Sequence, residues 1–177
     1  FRVEKLQSFD SFSAIELQAD LVILNKQNIK INFAWADPEN KFLFPINQEG
    51  GRFHELWKQS CFEVFFRVKN KKKYYEINLS TSKAWNIYEF QSYREPQPPV
   101  EFQHVKKIEI EIEIGSTLRQ LTADVVLDQL DLSQIEISFC AVLQLKGGRS
   151  TYWSTKHADL KPNFHHTDSF TIERKIL

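Results

Sequence analysis

Apolar residues recur at every second position along most of this chain, the period of strands with one buried face. The cleanest run is Val105–Ile114, VKKIEIEIEI, where Ile108, Ile110, Ile112 and Ile114 alternate with Glu109, Glu111 and Glu113. The isoleucines are expected to face a core and the glutamates water. Residues 14–24 and 29–36 alternate likewise around the polar turn NKQN and read as a hairpin. Cys61–Val68 and 74–80 read as a second hairpin joined by a lysine-rich turn, with 84–91 returning alongside. After a turn at GST (115–117), residues 121–127, Gln134–Leu145, the STYWST run and 169–176 complete the set. The stretch REPQPPVEF interrupts the pattern because proline cannot donate to a ladder. HELWKQS (54–60) is the single helical candidate, about one turn long. About ten strands with short connections and no repeat predict an all-β, antiparallel β-sandwich of immunoglobulin-like or jelly-roll type. One domain spans 1–177.

Several strands depart from simple apolar-in, polar-out alternation. Against the apolar row Phe62, Val64 and Phe66 stand Cys61, Glu63 and Phe65. Against Tyr75, Ile77 and Leu79 stand Tyr74, Glu76 and Asn78. In Gln134–Leu145 the second row is Glu136, Ser138, Cys140, Val142 and Gln144. Second faces that mix carboxylates, amides and rings suit a covered ligand cleft, or a sheet face whose polar groups a loop satisfies. The segment TYWSTKHADLKPNFHHTDSF (151–170) is a candidate for that cover, rich in rings and imidazoles and without apolar periodicity. Trp35 alternates with Phe33 and belongs to the core, whereas Trp57, Trp85 and Trp153 fall at strand ends or in irregular segments, where rings are half-exposed. Flat rings stack on the C–H faces of sugars while Asn, Glu, Arg and His bond the hydroxyls.

Charge narrows the classes. The 23 basic and 23 acidic residues cancel, and the only basic cluster, 69–73, lies between strands, so neither nucleic acid nor a membrane surface is expected as partner. No stretch is apolar enough to span a bilayer and no leader pattern opens the sequence, which points to the cytoplasm. Two cysteines, Cys61 and Cys140, are too few for a disulfide framework and are expected as buried thiols.

The motifs LWKQSCFEVFF (56–66), YYEINLS (74–80) and WNIYEF (85–90), followed by YWSTKHADLKPNFHHTDSF (152–170), resemble the DOMON-like domains, related in fold to the family 9 carbohydrate-binding modules. The resemblance implies a β-sandwich whose ligands are sugars or haem. It points to Trp57, Glu63, Tyr75, Asn78, Trp85, Tyr93, Arg94, Trp153, His157, His165, His166 and Asp168, although alternation turns Tyr75 toward the core. Glu76 and Phe164 join the ligand-binding candidates through their strand face and the tail motif. The family clamps a terminal sugar between two tryptophans, and Trp153 with Trp57 or Trp85 would play those parts.

The resulting expectation is a non-catalytic domain that binds a small ligand, a carbohydrate or sugar-containing metabolite. A protein-interaction module is one alternative, on Tyr93, Arg94 and the proline-rich run. A glycosidase using Glu63 and Glu76 is another. Haem held by His157 with His165 or His166 is a third; the absence of methionine removes a Met/His pair. The spacing of His157, His165, His166 and Asp168 matches no metalloprotease pattern, and no cofactor or metal is indicated, with calcium left open.

Overall fold

The computed structural model describes residues 2–10, 15–46, 50–115 and 118–176. Its strands in chain order are β1 (Glu4–Ser8), β2 (Glu16–Asn25), β3 (Asn28–Ala36), β4 (Phe42–Leu43), β5 (Gly51–Arg52), β6 (Cys61–Val68) and β7 (Tyr74–Leu79). They continue as β8 (Ala84–Phe90), β9 (Val100–Glu101), β10 (Val105–Ile114), β11 (Arg119–Leu127), β12 (Gln134–Leu145), β13 (Ser150–Ser154) and β14 (Ile172–Lys175). Three-residue 3₁₀ turns occupy Leu56–Lys58 and Thr167–Ser169. The all-β expectation therefore holds, but about ten strands was too few. Period-two reasoning missed β1 and the two-residue strands β4, β5 and β9, too short to display a period.

The strands run in the order β10-β11-β3-β2-β1-β13-β12-β6-β7-β8-β5, with β14 and β4 on opposite ends of β12 and β9 on β8. Strand β1 pairs with β2 on one side and β13 on the other, so one curled sheet supplies both facing layers. Both expected hairpins form: β2 with β3, and β6 with β7 across a turn where Asn70 takes φ 64°, a left-handed value Asn tolerates. Residue 14 of the first expected strand and residues 116–117 of the GST turn lie outside the described residues.

The inward rows meet as read. Phe33 and Trp35 of β3 pack on Phe62 of β6 with ring centroids 5.0 and 4.8 Å apart, and Phe33 meets Phe139 of β12 edge-on at 5.9 Å. Tyr75 stacks on Phe66 at 5.0 Å inside the same core. Strand β10 corrects one expectation. Only Ile110 is fully buried, Ile108 and Ile112 are half-buried, and Ile114 is 70% exposed, because β10 is an edge strand paired only with β11.

The opposite face of the second layer is also covered. Phe65, Tyr74, Tyr88, Phe90, Cys140 and Val142 form a smaller cluster with Phe164 and Phe170 from the chain after β13. This explains why all six residues of β7 are buried.

Candidate functional site

Between that face and its cover lies a cleft of about 290 Å³. Its floor follows from strand register. Glu63 stands opposite Asn78 on β7 and Cys140 on β12, while Phe65 stands opposite Glu76. Glu63 and Glu76 are thus diagonal neighbours on one face, close enough for their charges to interact. Phe90 of β8, Val142 of β12 and Tyr152 of β13 complete the floor. One wall is Trp57, presented by the 3₁₀ turn that the chain enters through Glu55 at φ 57°. The Glu55 amide donates to Tyr88 Oη at 3.3 Å, and Tyr88 meets the Trp57 ring edge-on at 5.5 Å.

Two loops close the remaining sides. The proline-rich loop after β8 contributes Arg94, Gln97 and Pro99, and the chain after β13 contributes Pro162, Phe164 and His165. Asn163 locks the loops together. It accepts from Arg94 Nη2 at 3.4 Å and donates to Tyr93 Oη at 2.9 Å and Asp159 Oδ2 at 3.0 Å. Ser169 Oγ fastens the far end by donating to the carbonyls of Phe164 and His166.

A hydrogen-bond relay fixes the protonation of His165. Tyr74 Oη accepts the Arg94 amide at 3.1 Å and lies 2.9 Å from His165 Nδ1. Burial pushes the Tyr74 phenol up to about 12, so it keeps its proton, and with Glu76 on the Nε2 side the tautomer that suits the site has Tyr74 donating to Nδ1. Nε2 then carries the ring hydrogen and faces Glu76 Oε2 at 3.7 Å. Burial and the Arg94 charge push His165 down to about 3, so this is a dipole facing a carboxyl and not an ion pair. The ring is seated edge-on against Phe65 and Phe90, both at 5.0 Å.

The carboxyls differ. Glu76 Oε1 accepts from Asn78 Nδ2 at 2.9 Å, and its pKa is pushed up to about 7 by burial, partly offset by Asn78 and by Arg94. Glu63 is 2% exposed and has no hydrogen-bond donor or counter-ion among the described residues. Burial, with the Glu76 charge added, holds its carboxyl well above the usual range. The nearby thiols of Cys61 and Cys140 are free, buried and raised by desolvation, hence inert as expected.

Of the residues read from sequence, the structure gathers Trp57, Glu63, Glu76, Arg94, Phe164 and His165 around the cleft, with Asn78 beneath Glu76. Tyr93 is exposed and serves Asn163 from outside. The tryptophan clamp is corrected. Trp153 is 2% exposed in the main core, its Nε1 donating to Thr151 Oγ1 at 2.9 Å. Trp85 packs on the core under the Arg52 guanidinium, 4.5 Å from its ring. His157 lies against β1, with Nε2 2.9 Å from the Gln7 carbonyl and its ring on Phe9, and does not line the cleft that holds His165. His166 does not line it either; it accepts from the Asp168 amide, and Asp168 is exposed. Among the described residues no group of three or more His, Cys, Asp or Glu is placed to hold a metal ion.

Sequence reasoning set Phe65 and Val142 on the candidate cleft face, and Tyr152 and Pro162 in its candidate cover, without naming them as ligand residues, and it missed Phe90, Gln97 and Pro99. Parity was the available signal. Tyr152 occupies the row opposite to Trp153 and so faces out where Trp153 faces in.

No family model and no curated protein matches this chain. Solved structures share its fold. A candidate carbohydrate-binding protein from Bacteroides uniformis aligns over 96% of this chain and 84% of its own, with TM-score 0.66 and 11% identity. A family 9 carbohydrate-binding module from Caldicellulosiruptor kristjanssonii in complex with glucose aligns over 97% and 83%, at TM-score 0.54 and 9% identity. The same kind of module from that organism in complex with cellotriose aligns over 98% and 81%, at TM-score 0.56 and 9% identity. The chain therefore has the β-sandwich fold of the family 9 modules.

Proposed function

We propose that the cleft binds a small carbohydrate. The observation that carries this reading is Glu63, a residue 2% exposed whose carboxyl lines the same cleft as Trp57 and makes no hydrogen bond or ion pair with another described residue. A carboxyl held protonated has one O–H to donate and an oxygen left to accept, and a sugar diol can meet both at once. Trp57 and Tyr152 offer ring faces to the C–H surface of the sugar, and Arg94 and Gln97 offer donors to its outer hydroxyls. The complexes of fold neighbours with glucose and cellotriose support the ligand class. Reading the chain as DOMON-like rests on its motifs at 56–66 and 152–170.

The test is a thermal-shift screen against mono- and disaccharides, repeated with Trp57→Ala. A sugar at ten times its dissociation constant stabilises by about 1.4 kcal/mol, a rise of about 3–6 °C for a chain of this size. A hit abolished in Trp57→Ala supports the reading, and a hit that persists unchanged places the sugar elsewhere. Glycoside hydrolysis is the second reading, favoured by the two raised carboxyls on one cleft. Release of 4-nitrophenol from aryl glycosides, lost in Glu63→Gln, tests it.

A further inference from the structure

The electrostatics of the cleft are lopsided. Two carboxyls, Glu63 and Glu76, face it from the floor, and the charged group set against them is Arg94. Arg94 is committed to the Glu76 end. Its side chain bonds Asn163 and its amide bonds Tyr74, the phenol that holds His165 against Glu76, while no hydrogen bond or ion pair joins it to Glu63 among the described residues. His165 brings no positive charge, since it stays neutral with its Nε2 hydrogen toward Glu76. Glu63 is left as a buried carboxyl with no counter-ion among the described residues, in a cleft that the Trp57 ring walls from the Tyr88 side.

A neutral sugar does not balance this site. Its hydroxyls satisfy the Glu63 oxygens, but two buried carboxylates then share one guanidinium, so one of them must stay protonated and give up part of its acceptor strength. A ligand ammonium brings the missing positive charge and three donors to Glu63, and a ring face in the same cleft adds cation–π attraction. Resting on the carbohydrate reading above, we propose that the preferred ligand is an amino sugar with a free ammonium group, which Glu63 receives in the cleft while Trp57 covers it.

The experiment is isothermal titration at pH 6.5, where an aliphatic amine is protonated, with glucosamine, glucose, N-acetylglucosamine and n-butylammonium as probes. Glucosamine is expected to bind about tenfold or more tighter than glucose and N-acetylglucosamine, since a buried charge-assisted bond is lost in each. Glu63→Gln is expected to bring glucosamine to within about threefold of glucose. If glucose binds as tightly as glucosamine, the ammonium proposal is overturned and the carbohydrate reading stands. If n-butylammonium matches glucosamine while glucose is silent, the site takes amines without reading a sugar, and both fall. If none binds, both fall as well. A thermal melt of Glu63→Gln verifies its fold; should that variant not fold, the contrast of glucosamine with its N-acetyl form on the unaltered protein decides alone.

Discussion

Replacing Glu76 by Gln should stabilise this protein at pH 8 and leave it almost unchanged at pH 4.5. The Gln side chain keeps the bond from Asn78 Nδ2 at 2.9 Å, because its Oε1 accepts as the carboxylate does; it removes the charge and sets an amide N–H₂ where Oε2 faced His165 Nε2 at 3.7 Å, a small cost present at pH 4.5 and pH 8 alike. Burial moves the Glu76 carboxyl from 4.5 in an open chain to about 7 in the folded protein. At 1.36 kcal/mol per pH unit, holding that carboxylate charged in the fold costs about 3 kcal/mol. Above pH 7 it is charged in both folded and unfolded chains, so the folded protein bears the whole cost. Below 4.5 it is protonated in both, and the cost is gone. The native protein thus gains stability on this account as pH falls from 7 toward 4.5, and Glu76→Gln does not. His165 works in the opposite sense, losing stability as pH falls from its open-chain value of 6.5 toward 3. It is present in both proteins, so the difference between them removes most of its effect. Urea melts at pH 4.5, 6.5 and 8 give that difference directly. Its growth to about 3 kcal/mol at pH 8 is expected, and relief of the repulsion on Glu63 adds to it. A variant no more stable than the native protein at pH 8, or equally stabilised at pH 4.5, would refute the placement of a strained carboxyl in the cleft.

Other substitutions separate the site from its supports. Trp153→Phe should cost about 1–3 kcal/mol, from a small cavity and the lost donor to Thr151, while leaving sugar affinity in a titration unchanged. A weakened affinity would return Trp153 to the site. Tyr74→Phe deprives His165 Nδ1 of its donor and the Arg94 amide of its acceptor. A loss of about 1–2 kcal/mol in a urea melt is expected. A ¹⁵N spectrum of the imidazole should show the Nε2–H tautomer in the native protein, and an Nδ1–H form there would overturn the relay.

Strand parity made the floor of the cleft legible before any coordinates. Glu63 and Glu76 fall on the row opposite to Phe62 and Ile77, while the pairing of Glu63 with Asn78 is set by the turn at 69–73, which alternation alone does not specify. Residue type misled where it was weighed above parity. Trp153 was read as a half-exposed stacking ring because tryptophans serve sugars, yet it shares the inward row with Thr151, and the outward position belongs to Tyr152. Trp85 lies between buried Ala84 and Asn86 on β8, and its ring rests on the core under Arg52. The walls were less legible for a different reason. Nothing in the order of residues 91–99 and 159–170 announces that Asn163 ties the two segments together, because side-chain bonds between loops leave no period. Pairing along the chain, not composition, also left Ile114 in water, at the edge of the sheet.

The floor and the roof of the cleft come from distant parts of the chain, and this sets their order in time. Most of the floor, 61–90, is a meander of adjacent strands that closes through short loops, whereas Phe164, His165 and Phe170 arrive only after seventy or more further residues. Without them this face would show Phe65, Tyr74 and Phe90 to solvent, an apolar strip of the kind by which partly folded chains adhere to one another. Docking of the tail hides that strip and creates the cleft in a single event. Competence to bind and protection from aggregation are therefore acquired together, and a ligand that holds the roof down safeguards the chain as well as occupying it.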